Sequence, residues 1–272
     1  TNYSFAPTLV VKKAASIDRD SVELTVDGFD PTQEYALTMQ GLRDSTASGN
    51  ALEAGEAVPV AVTGRGAYYP MRLTAGGALL DCGGEAGDAR LVGGATVEEG
   101  AGPHGLPALV LDGQTGYAEA PNRFNFGDGD FTIMLWMLRE GGGNIVLSKG
   151  NGFGSATQWS FGWPGTGLSH SASLRMNNEF HSTAAGAVPT GRWVHVAFVR
   201  RGKRGFSYAD GEQSGEPHDL SSLGALINDQ PLRIGRRAHE PDPQFFKGKI
   251  AEVKLLDYAL SPEDIRVAAQ GK

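Results

Sequence analysis

The stretch GDFTIMLWMLR at residues 129–139 decides the fold, and GRWVHVAFVR at residues 191–200 repeats its lesson. In the first, Phe131, Ile133 and Leu135 alternate with Thr132, Met134 and Trp136, the period of two that a pleated strand imposes on its side chains. Both sets are largely apolar, so both faces of the strand are expected to be covered, as in the middle of a sheet. In the second, Trp193, His195 and Ala197 oppose Val194, Val196 and Phe198 in the same way. Two central strands of an all-β protein are thereby expected.

Working outward, short runs of the same kind recur: 67–69, 108–111, 117–119, 145–149, 159–161, 173–176, 205–209, 232–234 and 249–256. With the two central strands they make eleven, enough for two packed antiparallel sheets. The turns between them use Asp112-Gly113 and Asp210-Gly211, where Asp-Gly readily supplies the positive φ of a tight reversal. Near the end, Ser261-Pro262-Glu263-Asp264 places an N-cap, a first-turn proline and two acids together. That is the start of one short helix, expected to cover an edge or plug one end of the sandwich.

The first sixty residues are patterned separately. Val22, Leu24 and Val26 alternate with Glu23 and Thr25, and Tyr35, Leu37 and Met39 repeat the period, which predicts two strands joined as a hairpin. The small and polar stretch Thr63-Gly64-Arg65-Gly66 reads as a hinge, giving domains at 1–62 and 67–272.

Composition excludes some partners. The 24 basic and 31 acidic side chains leave a net charge of −7, which opposes binding to nucleic acid. No window approaches the roughly 18 apolar residues in a row that a membrane-spanning helix needs. Cys82 is the only cysteine, so neither an intrachain disulfide nor a cysteine-based zinc site is available. The chain opens at Thr1 with no signal-peptide pattern and is read as a piece of a longer protein.

Two resemblances add to this reading. The order AYYP (67), LVLDGQTGYAEAP (109), GDFTIMLWMLR (129), LSKG (147), GRWVHVAFVR (191), YADGEQSG (208), LRIGRR (232) and FFKGKIAEVKLLDYALSPEDI (245) resembles the bacterial laminin-G-like, concanavalin A-like jelly-roll family. Residues 1–62, with NYS, VELTV, EYALTM and GLRDSTASGNAL, resemble part of a bacterial Ig-like module of the fibronectin-III-like group. The resemblances imply an all-β, two-sheet antiparallel jelly-roll sandwich with a short C-terminal helix, preceded by an Ig-like β remnant. They also imply an extracytoplasmic setting.

The family resemblance brings calcium into view, because relatives hold it at the sandwich rim with carboxylate, carbonyl and water oxygens. Asp128 and Asp130 are the candidate ligands, with Asn122 and Asn125 nearby. Two positions where relatives often carry acids hold Arg72 and Ala251 instead, which implies that one such site has been lost.

Catalytic patterns are missing. There is no His-Glu-x-x-His, no glycine-flanked nucleophilic serine and no phosphate-cradling glycine loop. Glycosidases of this fold use a Glu-x-Asp-x-x-Glu strand, because acid and nucleophile must flank the scissile bond, and that pattern is absent too. His195, inside a strand, reads as a hydrogen-bonded core histidine rather than a general base. The chain is therefore expected not to be an enzyme; a glycoside hydrolase is the weaker alternative.

A ligand site is expected instead. Trp159, Trp163, Arg175, Asn177, Asn178 and His181 combine aromatic faces with amide, guanidinium and imidazole donors, the mixture that sugar recognition uses. The alternative for Trp159 and Trp163 is that they fill the core. The expected function is binding or adhesion, to carbohydrate or a protein surface. A structural spacer contacting other domains of its parent chain is the competing reading.

Overall fold

The computed structural model describes residues 2–6, 10–16, 22–27, 35–40, 58–60, 66–143, 145–150, 158–162, 173–176, 179–182, 189–238 and 243–271, with side chains described from residue 66 onward except at 173–176 and 179–182. The chain falls into two compact units, Thr1–Gly64 and Arg65–Lys272.

In the first unit the strands are β1 (Asn2–Ala6), β2 (Val10–Ser16), β3 (Val22–Asp27), β4 (Tyr35–Gln40) and β5 (Val58–Val60). The two strands expected from alternation are present as β3 and β4, but they are not a hairpin with each other. β3 pairs with β2, and β4 lies between β1 and β5. Alternation specifies that a segment is extended, whereas the partner is chosen by contacts the pattern does not record.

Among the described residues the second unit holds sixteen strands. They are β6 (Gly66–Tyr69), β7 (Arg90–Val92), β8 (Thr96–Glu98), β9 (Ala108–Asp112), β10 (Tyr117–Ala120), β11 (Phe131–Gly142), β12 (Ile145–Lys149), β13 (Trp159–Gly162), β14 (Ser173–Met176), β15 (Glu179–Ser182), β16 (Trp193–Arg201), β17 (Arg204–Ala209), β18 (Glu212–Gln213), β19 (His218–Asp219), β20 (Leu232–Ile234) and β21 (Phe246–Leu256). Gly66, placed in the hinge on sequence grounds, is already in β6 and pairs with Leu256.

These strands form an antiparallel sandwich. One sheet runs β15-β14-β13-β12-β20-β10-β7, and the other β18-β17-β16-β11-β21-β9-β8, with β6 and β19 attached to β21 and β17. β11 and β16 are adjacent and central, as their two apolar faces require. Phe131, Ile133, Val194 and Phe198 are all buried, and with Leu147, Phe161, Leu232 and Ile234 they build the core between the sheets. The Phe126 ring stacks on Phe131 with centroids 4.4 Å apart and sits 5.3 Å from the Trp159 ring, knitting the core across.

One helix, α1 (Pro262–Ala269), follows the last strand. Ser261 caps it, its hydroxyl accepting from the Asp264 N–H while the Asp264 carboxylate accepts from the Ser261 N–H. The helix runs beside the edge strand β18, where Arg266 Nε donates to Glu212 Oε1 at 3.4 Å, so the expected edge cover is present in part. Ile265 packs on Met134, Ala197, Val199 and Tyr208, on the outer face of the sheet of β11 and β16. Those residues are the second apolar set of the central strands, and the helix is what buries them.

A loop knot holds β6 in place. The buried Asp81 carboxylate accepts from the backbone N–H groups of Tyr68, Gly83, Ala86 and Gly87 at 2.8–3.0 Å. Asp112 acts in the same way at its turn, accepting from Gln114, Thr115 and Gly116, and those hydrogen bonds hold its carboxyl well below the usual carboxylate range. Asp210 closes the other reversal, with φ 48° and its carboxylate accepting from the His195 N–H. Both Asp-Gly aspartates are consumed by turns.

Candidate functional site

Strand register lays a polar row across the outer face of the seven-stranded sheet. Arg90 on β7 is opposite Glu119 on β10, which is opposite Arg233 on β20; Ser148 on β12, Ser160 on β13 and Arg175 on β14 continue the line. Six strands at about 4.8 Å spacing make a row of about 24 Å. Alternation produces it: Ala118 and Ala120 flank Glu119, Leu232 and Ile234 flank Arg233, and all four flanking residues are buried in the core.

The Glu119 carboxylate sits between two guanidiniums. Arg90 Nη2 donates to Oε1 at 2.7 Å, and Arg233 Nε to Oε2 at 3.2 Å. Side-chain exposure falls inward along the row, from 68% at Arg90 to 16% at Glu119 and 11% at Arg233, and Ser148 beyond them is buried. Arg233 Nη1 also donates to the Gly150 carbonyl at 3.4 Å. Beside the row, the Arg236 guanidinium lies 5.0 Å from the Tyr117 ring centroid and 5.3 Å from that of Phe245. The result is a fixed set of donors and acceptors next to an aromatic pair, suited to hydroxyl-rich ligands.

The expected ligand residues are divided by this geometry. Arg175 occupies the polar row by register, although β14 is described in backbone only. Trp159 does not belong to it: the indole is 2% exposed, lies in the core row with Leu232 and Lys149, and offers no free face to a sugar. His181 is opposite Leu174, in the register row of Phe161, Leu147 and Ile234, so it falls on the core side of the sheet rather than beside Arg175. Trp163, Asn177 and Asn178 lie outside the described residues. Glu119, Arg90, Tyr117 and Phe245 were missed, although the alternation Tyr117-Ala118-Glu119-Ala120 carried the signal.

The two expected calcium ligands, Asp128 and Asp130, differ in their surroundings. Asp128 is exposed, and Asp130 Oδ1 accepts from the Gly202 N–H at 2.6 Å. Asn122 and Asn125 turn their carboxamide oxygens to Lys149 Nζ, at 2.7 and 3.0 Å. Among the described residues no three His, Cys, Asp or Glu side chains gather as metal ligands.

The other sheet carries a buried titratable group on β16. His195 is 2% exposed, its ring packs edge-on against Trp136 at 5.3 Å, and Nδ1 has no hydrogen-bond partner. The buried histidine expected there is present, without the expected hydrogen bond at Nδ1. Burial, reinforced by the Lys254 charge and opposed by Asp210, pulls its pKa down to about 4. Close by, the Tyr68 hydroxyl donates to Glu252 Oε2 at 2.7 Å, and Lys254 Nζ stands 3.9 Å from the same oxygen.

Comparison with known proteins fits this architecture. Domain 4 of AbnA, a GH43 extracellular arabinanase from Geobacillus stearothermophilus solved with arabinotriose, superposes with a TM-score of 0.60 at 19% identity, covering 76% of this chain and 98% of that one. The binding domain of Paraclostridial Mosquitocidal Protein 1 gives 0.56 at 12% identity, covering 76% of this chain and 51% of that one. The receptor-binding domain of botulinum neurotoxin C/D mosaic serotype gives 0.54 at 14%, covering 78% and 52%, so the chain spans about half the length of these toxin domains. No curated protein matches the sequence. A laminin-G-type family model matches residues 112–266, more than half of the chain, and with the two-sheet fold it shows that this chain belongs to the concanavalin A-like lectin/glucanases superfamily.

Proposed function

We propose that the chain is a non-catalytic carbohydrate-binding module of a longer extracytoplasmic protein, and that the ligand lies along the row from Arg90 to Arg175. The observation that carries this is the row itself. Glu119 is locked between Arg90 and Arg233, so acceptor and donors stand ready without reorganisation on binding. The row spans about 24 Å, a length suited to an extended oligosaccharide. It contains one carboxylate, whereas glycoside hydrolysis by the common route needs two flanking the bond. The neighbours named above, a domain holding arabinotriose and two toxin binding domains, support a binding role over a chemical one.

The test is a glycan array followed by calorimetry on the full chain, with arabinotriose among the probes. Binding that weakens at least tenfold in Arg233→Ala and in Glu119→Gln is expected. Two outcomes reject the reading: binding unchanged by either substitution, or hydrolysis of the bound glycan. A chain that binds no glycan but captures other parts of its parent protein is a spacer.

A further inference from the structure

Lys149 ends β12 on a core-facing register position, opposite Trp159 and Leu232. A lysine there is out of place by pattern, and it is 1% exposed. Its ammonium is solvated by protein instead of water. Nζ, with three N–H donors, stands within hydrogen-bonding distance of four oxygens: Asn122 Oδ1 at 2.7 Å, Asn125 Oδ1 at 3.0 Å, the Asn228 carbonyl at 2.8 Å and Asn228 Oδ1 at 3.0 Å. All four acceptors are uncharged, and they come from two loops: the one after β10 and the one before β20. The loops are also tied to each other, because the Asn228 N–H donates to Asn125 Oδ1 at 3.1 Å.

An oxygen cage of this kind is how a protein holds a metal ion, with one difference in scale. Calcium needs six to eight oxygens at about 2.3–2.6 Å, whereas the spacing here is that of ammonium hydrogen bonds. Asn122 and Asn125 also stand among the residues nearest the expected calcium ligands.

We propose that these four oxygens are a monovalent-cation site that the chain fills with its own ammonium, so that Lys149 fixes the two loops from within the chain. While the ammonium is there, a divalent cation is excluded by charge and by occupancy. Gly150, the next residue, is held by the same anchor, and its carbonyl accepts from Arg233. The cage thus also sets the inner end of the polar row, yet its existence does not depend on what the row binds.

Removing the ammonium should leave the cage open to a substitute. In Lys149→Ala the melting temperature should fall by roughly 5–10 °C, since buried oxygens lose their donor. Ammonium or n-propylammonium chloride should restore part of it, and tetramethylammonium chloride at equal ionic strength should not. Lys149→Met keeps the bulk without the charge and should stay destabilised whatever salt is added. In the unaltered chain neither EDTA nor calcium chloride should move the melting temperature, and a slowly exchanging Nζ ammonium signal should appear in proton–nitrogen NMR. A Lys149→Met variant as stable as the unaltered chain would overturn the proposal. Rescue of Lys149→Ala by calcium but not alkylammonium would do the same. Should neither variant fold, the NMR signal and the EDTA melt decide, with an absent signal or an EDTA-sensitive melt counting against it.

Discussion

The two sheets present opposite outer faces. On the nine-stranded sheet, Met134, Ala197, Val199 and Tyr208 point away from the core and are buried again under α1 through Ile265. On the seven-stranded sheet, the equivalent outward positions are Arg90, Glu119, Arg233, Ser148 and Ser160. The first face is covered by a helix; the second is polar, open at Arg90 and covered toward Ser148. A strand with two apolar faces implies a covering element, and a strand with one implies a surface that meets water or a ligand.

The sharpest way to break this contrast is to make the sealed face polar. Ile265→Asp places a carboxylate under the helix with no buried partner, and it should lower stability by on the order of 4 kcal/mol in urea unfolding. Increased binding of a hydrophobic dye should accompany it, as α1 lifts from Met134 and Val199. A loss below about 1 kcal/mol would mean that the helix does not seal the face.

Acid should strain the same face through His195. Its folded-state pKa is pulled down to about 4, against 6.5 for an unperturbed histidine. Between those values the unfolded chain takes up a proton and the folded chain does not, so stability is complete above pH 6.5 and declines as pH falls toward 4. The gap is worth about 3 kcal/mol, and below pH 4 this contribution changes no further. His195→Gln should flatten that part of the stability profile. An unchanged profile would show that the ring is solvated in the folded chain.

Much of this was legible in the sequence, and the limits have a physical form. DFTIMLW and WVHVAF gave their own place at the centre of a sheet, because period two with apolar residues on both sides has few other meanings, while their pairing with each other came only from the structure. Ser261-Pro262 marked the helix start, and the edge expected for it is met beside β18, but a cap does not report the outer face that Ile265 covers. β7, β8 and β15 were missed as runs of three or four residues in polar company. For the site, residue chemistry alone grouped Trp159, Arg175 and His181, while register separates them. A ligand face is a property of parity across several strands, and parity was available only within each strand. That Lys149 is a buried cation was not legible within its own strand, because loops 27 and 79 residues away supply its oxygens.

The smallest expected effect on stability is the most informative about the polar face. Arg90 donates to Glu119 at 2.7 Å, but its side chain is 68% exposed, and an ion pair so open to water is screened. Arg90→Ala should therefore change unfolding stability by no more than about 0.5 kcal/mol. If the row is a ligand surface, the same substitution removes a donor at its outer end and should weaken glycan affinity severalfold in calorimetry. Stability held and affinity lost together would separate recognition from support. If the two fell in step, the row would be an ionic brace between β7, β10 and β20, and the outer faces of the two sheets would differ in chemistry while sharing a structural role.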